Sequence, residues 1–165
     1  MVLLTDEEIK EDKKIIKQMK NKLNKKNEAE FNKINRVYDS IQSRTKNSSK
    51  SKLKIHEIKK TWLKSKFIKW YEIKKKKGCY YCKTPIGDLE FFYEKTKEVN
   101  KRSEQRGWSL EVDRKTPGDL NYNEGNCVLS CYWCNNAKTD VFNENEALEI
   151  GKIMNKIIKN RKDER

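Results

Sequence analysis

Two Cys-x-x-Cys pairs, Cys79 with Cys82 and Cys131 with Cys134, constrain this chain more than any other feature of its sequence. Two residues between cysteines let a tight turn aim both sulfurs at one point, so the pairs together can supply four thiolates to one tetrahedral zinc. The fifth cysteine, Cys127, stands alone in a stretch that reads as strand. In a reducing compartment an odd count of five fits four ligands and a free thiol better than a set of disulfides. Between Cys82 and Cys131 lie 48 residues, far more than the roughly 15 to 20 that separate the pairs of a zinc ribbon. The intervening segment is therefore more than a connection, and it is the place to look for chemistry.

With 35% hydrophobic and 39% charged residues in a chain of 165, there is apolar material for one modest domain plus an extension. A structural metal would add to such a small core. Val2-Leu3-Leu4 is too short for the apolar stretch of a signal peptide, and no apolar run approaches the length of a membrane span. The expectation is an intracellular protein, in the cytoplasm of a prokaryotic host or a virus-infected cell, with no membrane partner. The net charge of +14 is one-sided: residues 1–77 hold 24 Lys/Arg against 10 Asp/Glu, and residues 78–165 hold 15 of each. A positive excess concentrated on one segment suits a polyphosphate backbone, where each neutralised phosphate releases counterions. A lysine-rich solvated face is the plainer alternative.

Thr5-Asp6-Glu7-Glu8 has the form of a capping box and predicts a helix start. Apolar residues recur at Ile9, Ile16, Met19 and Leu23, then at Phe31, Ile34, Val37, Tyr38 and Ile41, as in one long or two abutting amphipathic helices with a break near Asn24–Asn27. Such a thin stripe can pack on the rest of the chain, pair with a second copy to make a homodimer, or lie along DNA. Ser43–Ser51 has no apolar residue and reads as a linker. The division expected is a basic helical arm and linker over residues 1–48 and a zinc-bound domain over 49–165. Within that domain a lead-in helix covers 49–78, with Trp62, Phe67, Trp70 and Tyr71 as core and Gly78 as its C-cap. The core unit covers 79–142: a helix opened by Pro85, a strand through Trp108–Val112, a loop at Pro117-Gly118, and a strand from Cys127 into a helix at the second cysteine pair. Asn143-Glu144-Asn145-Glu146 caps a closing helix over 143–160 with an apolar stripe from Ala147 to Ile158.

Leu110-Glu111-Val112-Asp113-Arg114, Gly125-Asn126-Cys127-Val128 and Cys131-Tyr132-Trp133-Cys134-Asn135-Asn136-Ala137-Lys138, taken together, resemble the HNH endonucleases. The resemblance is to the zinc-containing branch that shares a treble-clef fold with phage endonuclease VII, and it spans about residues 70–160. It implies an α+β, mostly helical fold with a ββα-metal zinc core and a long basic N-terminal helical arm. It further implies a phosphodiester hydrolase acting on duplex or branched DNA. Carried over residue by residue, Asp113 and Asn135 fall on the ligands of a catalytic Mg²⁺ or Mn²⁺, Asn126 on the middle asparagine, and Lys138 on the trailing lysine. Cys79, Cys82, Cys131 and Cys134 fall on the structural zinc site. Arg106, Lys115 and Lys138 are the candidates for holding DNA phosphates.

The sequence departs from that pattern at Arg114, which stands where the family has its general-base histidine. Arginine cannot deprotonate water. His56, the single histidine, sits 22 residues before Gly78 on the predicted lead-in helix, which at 1.5 Å per residue is about 33 Å from the first cysteine pair. Two routes remain for a nuclease: water activated by the catalytic ion, or by a carboxylate such as Glu111 or Asp140, with Arg114 stabilising charge on the phosphate. The alternative is a catalytically inactive, zinc-stabilised nucleic-acid-binding protein. A third reading is a structural or inhibitory partner using its long basic helices for protein contacts.

Overall fold

The computed structural model describes residues 4–46, 62–96, 109–119 and 121–163. Among these the elements run α1 (Asp6–Asn21), α2 (Lys25–Lys46), α3 (Lys64–Lys75), α4 (Ile86–Thr96), β1 (Glu111–Arg114), β2 (Cys127–Ser130), α5 (Tyr132–Lys138) and α6 (Glu144–Asp163). The chain divides into two compact units: Met1–Glu72 with Asp119–Asn126, and Ile73–Gly118 with Cys127–Arg165.

The first unit holds α1, α2 and most of α3. α1 opens with the expected capping box, in which the Glu8 N–H donates to Thr5 Oγ1 at 3.2 Å and the Thr5 N–H donates to Glu8 Oε2 at 2.7 Å. The break falls at Lys22–Asn24, where Asn24 Oδ1 accepts from the Asn27 N–H at 3.0 Å and so caps α2. α2 then buries Phe31, Ile34, Tyr38 and Ile41 at helical spacing. Trp62, Phe67, Ile68, Trp70 and Tyr71 are buried as well, so the lead-in aromatics are core. Edge-to-face contacts join Tyr38 to Phe67 (5.2 Å) and Trp62 to Trp70 (4.8 Å). The Tyr38 hydroxyl donates to the Trp62 carbonyl at 2.7 Å.

The N-terminus of α3 is finished by a residue far away in sequence. Asp12, on α1 and buried, accepts from the Lys64 N–H at 2.8 Å and the Ser65 N–H at 3.1 Å. A helix leaves its first N–H groups without intrahelical partners and carries partial positive charge there, so one carboxylate satisfies both demands. This is where the structure differs from the division at 48/49: α1 and α2 share a core with α3 and do not form a separate arm. Residues 43–46, assigned to a linker, continue α2, and the lead-in helix starts at Lys64 after the non-helical Trp62 and Leu63. The rest of the linker and His56 lie outside the described residues.

The second unit holds the cysteine pairs. Gly78 ends the turn after α3 at φ +73, and a Cβ there would lie 2.3 Å from the Thr84 carbonyl oxygen, so glycine is required. The first knuckle closes through Cys79 N–H to Thr84 O (3.0 Å) and Lys83 N–H to Cys79 O (2.9 Å). Pro85 directly precedes α4, and its carbonyl accepts from the Leu89 N–H at 3.1 Å. β1 and β2 form an antiparallel pair with Glu111 opposite Ser130, Asp113 opposite Val128 and Arg114 opposite Cys127. β1 therefore begins and ends later than the strand expected over Trp108–Val112, and Trp108 itself is outside the described residues. The Tyr80 N–H donates to the Leu129 carbonyl at 2.8 Å, tying the knuckle to β2. α6 is capped by Asn143 as expected, with Asn145 and Glu146 N–H groups on its Oδ1. Gly151 lets α6 cross the knuckle backbone closely, since a Cβ would meet the Tyr81 carbonyl at 2.5 Å. Of its apolar stripe Ala147 and Ile158 are buried, while Ile153 and Ile157 stay exposed. No helix among the described residues is long and apolar enough to cross a membrane.

Asp12→Ala should remove the cap of α3 and lower the stability of the first unit by about 1–2 kcal/mol, the usual cost of losing a capping side chain. Urea unfolding followed by tryptophan fluorescence measures this, because Trp62 and Trp70 sit in that core. An unchanged midpoint would show that the Asp12 contacts contribute nothing net.

Candidate metal centres

Two sets of side chains in the second unit have metal-binding character, and they differ in chemistry. The first is the thiol set. Cys79 and Cys82 come from the knuckle after Gly78, Cys131 from the end of β2 and Cys134 from the first turn of α5. All four are buried, and their sulfurs lie within 4.8 Å of one another, with Cys82 to Cys131 at 3.9 Å. Zinc–sulfur bonds of about 2.3 Å put the sulfurs of a tetrahedral site about 3.8 Å apart, so donor type, number and spacing all fit zinc. Backbone groups already point at the sulfurs: Cys131 N–H to Cys79 Sγ at 3.2 Å and Cys134 N–H to Cys131 Sγ at 3.4 Å. Without a cation the thiols cannot all ionise. Hydrogen bonds with Cys131 hold Cys79 and Cys82 below the ordinary thiol value, and the one with Cys134 pushes Cys131 above it. Cys127, buried in β2, stands outside the set.

The second set lies on the seam between β1 and α5. Side chains alternate along a strand, so Glu111 and Asp113 share one face. On α5 Asn135 and Lys138 are three residues apart and share a face too. The two faces meet in two rungs: Asn135 Nδ2 donates to Glu111 Oε2 at 2.5 Å, and Lys138 Nζ lies 3.3 Å from Asp113 Oδ2. Asp113 Oδ2 also accepts from the Tyr81 hydroxyl at 2.5 Å. Both side-chain contacts fall on Oδ2, and the Arg114 backbone also bonds the carboxylate. Burial pushes the Asp113 carboxyl above the usual carboxylate range, against the opposing pull of the Tyr81 hydrogen bond and the Lys138 charge. Burial, and then the bond to Asp113, pushes the Tyr81 phenol far up, so it stays a donor. A carboxylate and a carboxamide on one seam are the hard oxygen donors that suit Mg²⁺ or Mn²⁺.

The remaining candidates are placed as follows. Arg114 reaches Asp140, with Nη2 3.4 Å from Oδ1; its side chain is largely covered, while Asp140 is exposed. Lys138 is 1% exposed and donates to the Arg114 carbonyl at 2.8 Å, so its ammonium is the buried counter-charge of Asp113 and is not presented to a phosphate. Asn126 belongs to the other compact unit, where its Nδ2 donates to the Asp119 and Asn121 carbonyls at 3.1 and 3.0 Å. Those bonds brace the loop between the strands. Lys115 is half-buried just beyond β1, and Arg106 lies outside the described residues. Tyr81 is the residue that the motifs do not single out. It sits inside the first cysteine pair, and nothing in the linear sequence links it to a carboxylate 32 residues on.

No family model matches the chain, and no curated protein matches it. Among solved structures it is similar to that of PacI, described as a rare-cutting HNH restriction endonuclease with an extraordinary mechanism of DNA perturbation. The TM-score is 0.60 at 22% sequence identity, over 78% of this chain and 81% of that chain. The likeness shows the fold: an α+β, mostly helical HNH-type architecture whose four-cysteine cluster fits a zinc site.

Elemental analysis should find one zinc per chain. Cys79→Ser should lose it and unfold the second unit, because the binding free energy of a structural zinc is folding free energy. Cys127→Ser should keep it. Zinc retained in the first variant, or lost in the second, contradicts the assignment.

Proposed function

We propose that this protein is a divalent-metal-dependent DNA endonuclease of the HNH type, held in shape by zinc at Cys79, Cys82, Cys131 and Cys134. The observation that carries this reading is the seam. Asn135 pairs with Glu111 and Lys138 with Asp113 along one strand–helix seam, and a protein that only binds DNA has no need of carboxylates and a carboxamide on such a seam; this supports Asp113 and Asn135 as the ion's ligands. The endonuclease fold of PacI supports it. The positive excess of residues 1–77 suits DNA as the substrate.

In this reading Asp113 and Asn135 hold Mg²⁺ or Mn²⁺, which when bound polarises the scissile phosphate and the attacking water. Lys138 and Tyr81 fix the Asp113 carboxylate from the buried side. Glu111 is the better placed of the two candidate bases. It shares the seam with Asp113, whereas Asp140 is 89% exposed and faces Arg114. Arg114, in long contact with Asp140, steadies charge on the phosphate in the transition state. Asn126 braces the loop that connects the strands. Arg106 and Lys115 hold neighbouring phosphates.

Supercoiled plasmid incubated with the zinc-loaded protein and Mg²⁺ or Mn²⁺ tests this directly, with nicked and linear products as the readout. Glu111→Gln keeps an acceptor for Asn135 but cannot take a proton, and should slow cutting by about 10²-fold or more, the range of a lost general base. Asp140→Asn should cut at close to the unaltered rate. Arg114→Ala should lose about 10²-fold with DNA binding little changed, as for one transition-state donor. If no divalent ion supports cutting by the unaltered protein while Arg114→His cuts, the chain is a zinc-stabilised DNA-binding protein with a disarmed site.

A further inference from the structure

A cleft of about 530 Å³ opens on the second unit where α6 passes the first cysteine pair; Tyr81, which bonds Asp113 of the seam, is part of its lining. Its lining carries three lysines, Lys83, Lys152 and Lys159, against a single acid, Asp88. That one negative charge is already met, because Lys162, which is not part of the lining, lies 2.6 Å from Asp88 Oδ1. The three lysines are exposed. Lys159 has no hydrogen bond or ion pair among the described residues, and Lys83 rests over the ring of Tyr80 at 4.2 Å. Lys152 pairs with Glu149 in open solvent, where both side chains are about 70% exposed. A pair of that kind contributes little and gives way readily to another anion.

The charge is local and its setting is rigid. The second unit carries 19 Lys/Arg against 13 Asp/Glu, so a lining of three cations to one anion is more positive than the average of the unit. The floor is fixed by Asn155, whose Nδ2 donates to the Cys82 carbonyl at 2.7 Å and to Thr84 Oγ1 at 3.3 Å. Lys152 and Lys159 stand on α6 either side of Asn155, seven residues apart, which is about 10 Å along the helix. Cations spaced over that length on a fixed floor match a run of phosphates along one strand, not a single small anion.

We propose that this cleft is a second DNA-backbone site, in which Lys83, Lys152 and Lys159 neutralise phosphates of the strand outside the cutting site. The proposal rests on the endonuclease reading for its ligand, and it adds a contact surface that the metal seam does not provide. The site carries no sequence information. It sets affinity and its salt dependence, and it leaves the rate of cutting of bound DNA alone.

The test is the full-length, zinc-loaded triple variant Lys83→Gln, Lys152→Gln, Lys159→Gln beside the charge-keeping triple Lys→Arg. Duplex DNA binding is measured at a series of salt concentrations, and cutting at saturating DNA. The Gln triple should flatten the slope of log K against log salt by about 0.9 per lost phosphate contact, so by up to about 2.7 for three. The Arg triple should keep the slope, and both should retain zinc and cut saturating DNA at the unaltered rate. If the unaltered protein binds DNA and the Gln triple has the same slope, this cleft is not a DNA site and the endonuclease reading stands. If the Gln triple loses slope but the Arg triple loses it equally, the lysines act through the fold and the proposal is overturned. If the unaltered protein binds no DNA, both readings fall.

Discussion

Four sulfurs within 4.8 Å of one another cannot all be thiolates unless a cation sits among them, and most of the second unit depends on that condition. The candidate ligands arrive in two pairs separated by 48 residues, so an ion held by them would join the knuckle after α3 to the β2–α5 junction. From the knuckle, Tyr80 holds β2 by a backbone bond to Leu129, and Tyr81 reaches Asp113. From the junction, Cys131 caps α5, which carries Asn135 and Lys138 onto β1. α6 then closes over the knuckle, with Gly151 allowing the approach and Asn155 binding the Cys82 carbonyl. An ion in the four-thiol cluster would thus set the register between the strand and the helix that share the polar seam.

That seam is costly to maintain. Lys138 is almost fully covered and Asp113 nearly so, and burial works against the charged form of the carboxyl. Removing one partner of such a pair commonly costs about 3–5 kcal/mol, because the other charge is left buried alone. The arrangement holds because the remaining donors are used: Lys138 also bonds the Arg114 carbonyl, and Tyr81 also bonds Asp113. Among the described residues the side-chain contacts of Asp113 fall on Oδ2, and the Arg114 backbone adds a hydrogen bond to the carboxylate.

Local signals in the sequence were enough for the parts of the fold with local causes. The capping boxes at Thr5 and Asn143, the break near Asn24, Gly78 at the end of a helix and the four-thiol set all depend on residues within a few positions of one another or on ligand chemistry. What could not be read depends on contacts distant in sequence. Asp12 caps a helix 52 residues away, so a stretch that looks like a detached basic arm is built into a core. Lys138 reads as a phosphate contact from its match to the family's trailing lysine, and only the packing of α5 on β1 shows it to be a counter-charge. Tyr81 gave no signal at all. The stripe of α6 was legible as a helix but not in its burial, since Ile153 and Ile157 remain exposed while Gly151 is covered.

In the proposed reading the seam holds a divalent ion of its own, distinct from zinc. Titration of the zinc-loaded protein with Mn²⁺, followed by the Mn²⁺ paramagnetic resonance signal, measures this without reference to DNA or to cutting. Uptake of one Mn²⁺ per chain is expected, abolished in Asp113→Ala and strongly weakened in Asn135→Ala, with the zinc content of both variants intact. Mn²⁺ uptake that is absent in the unaltered protein, or that persists unchanged in Asp113→Ala, would contradict it.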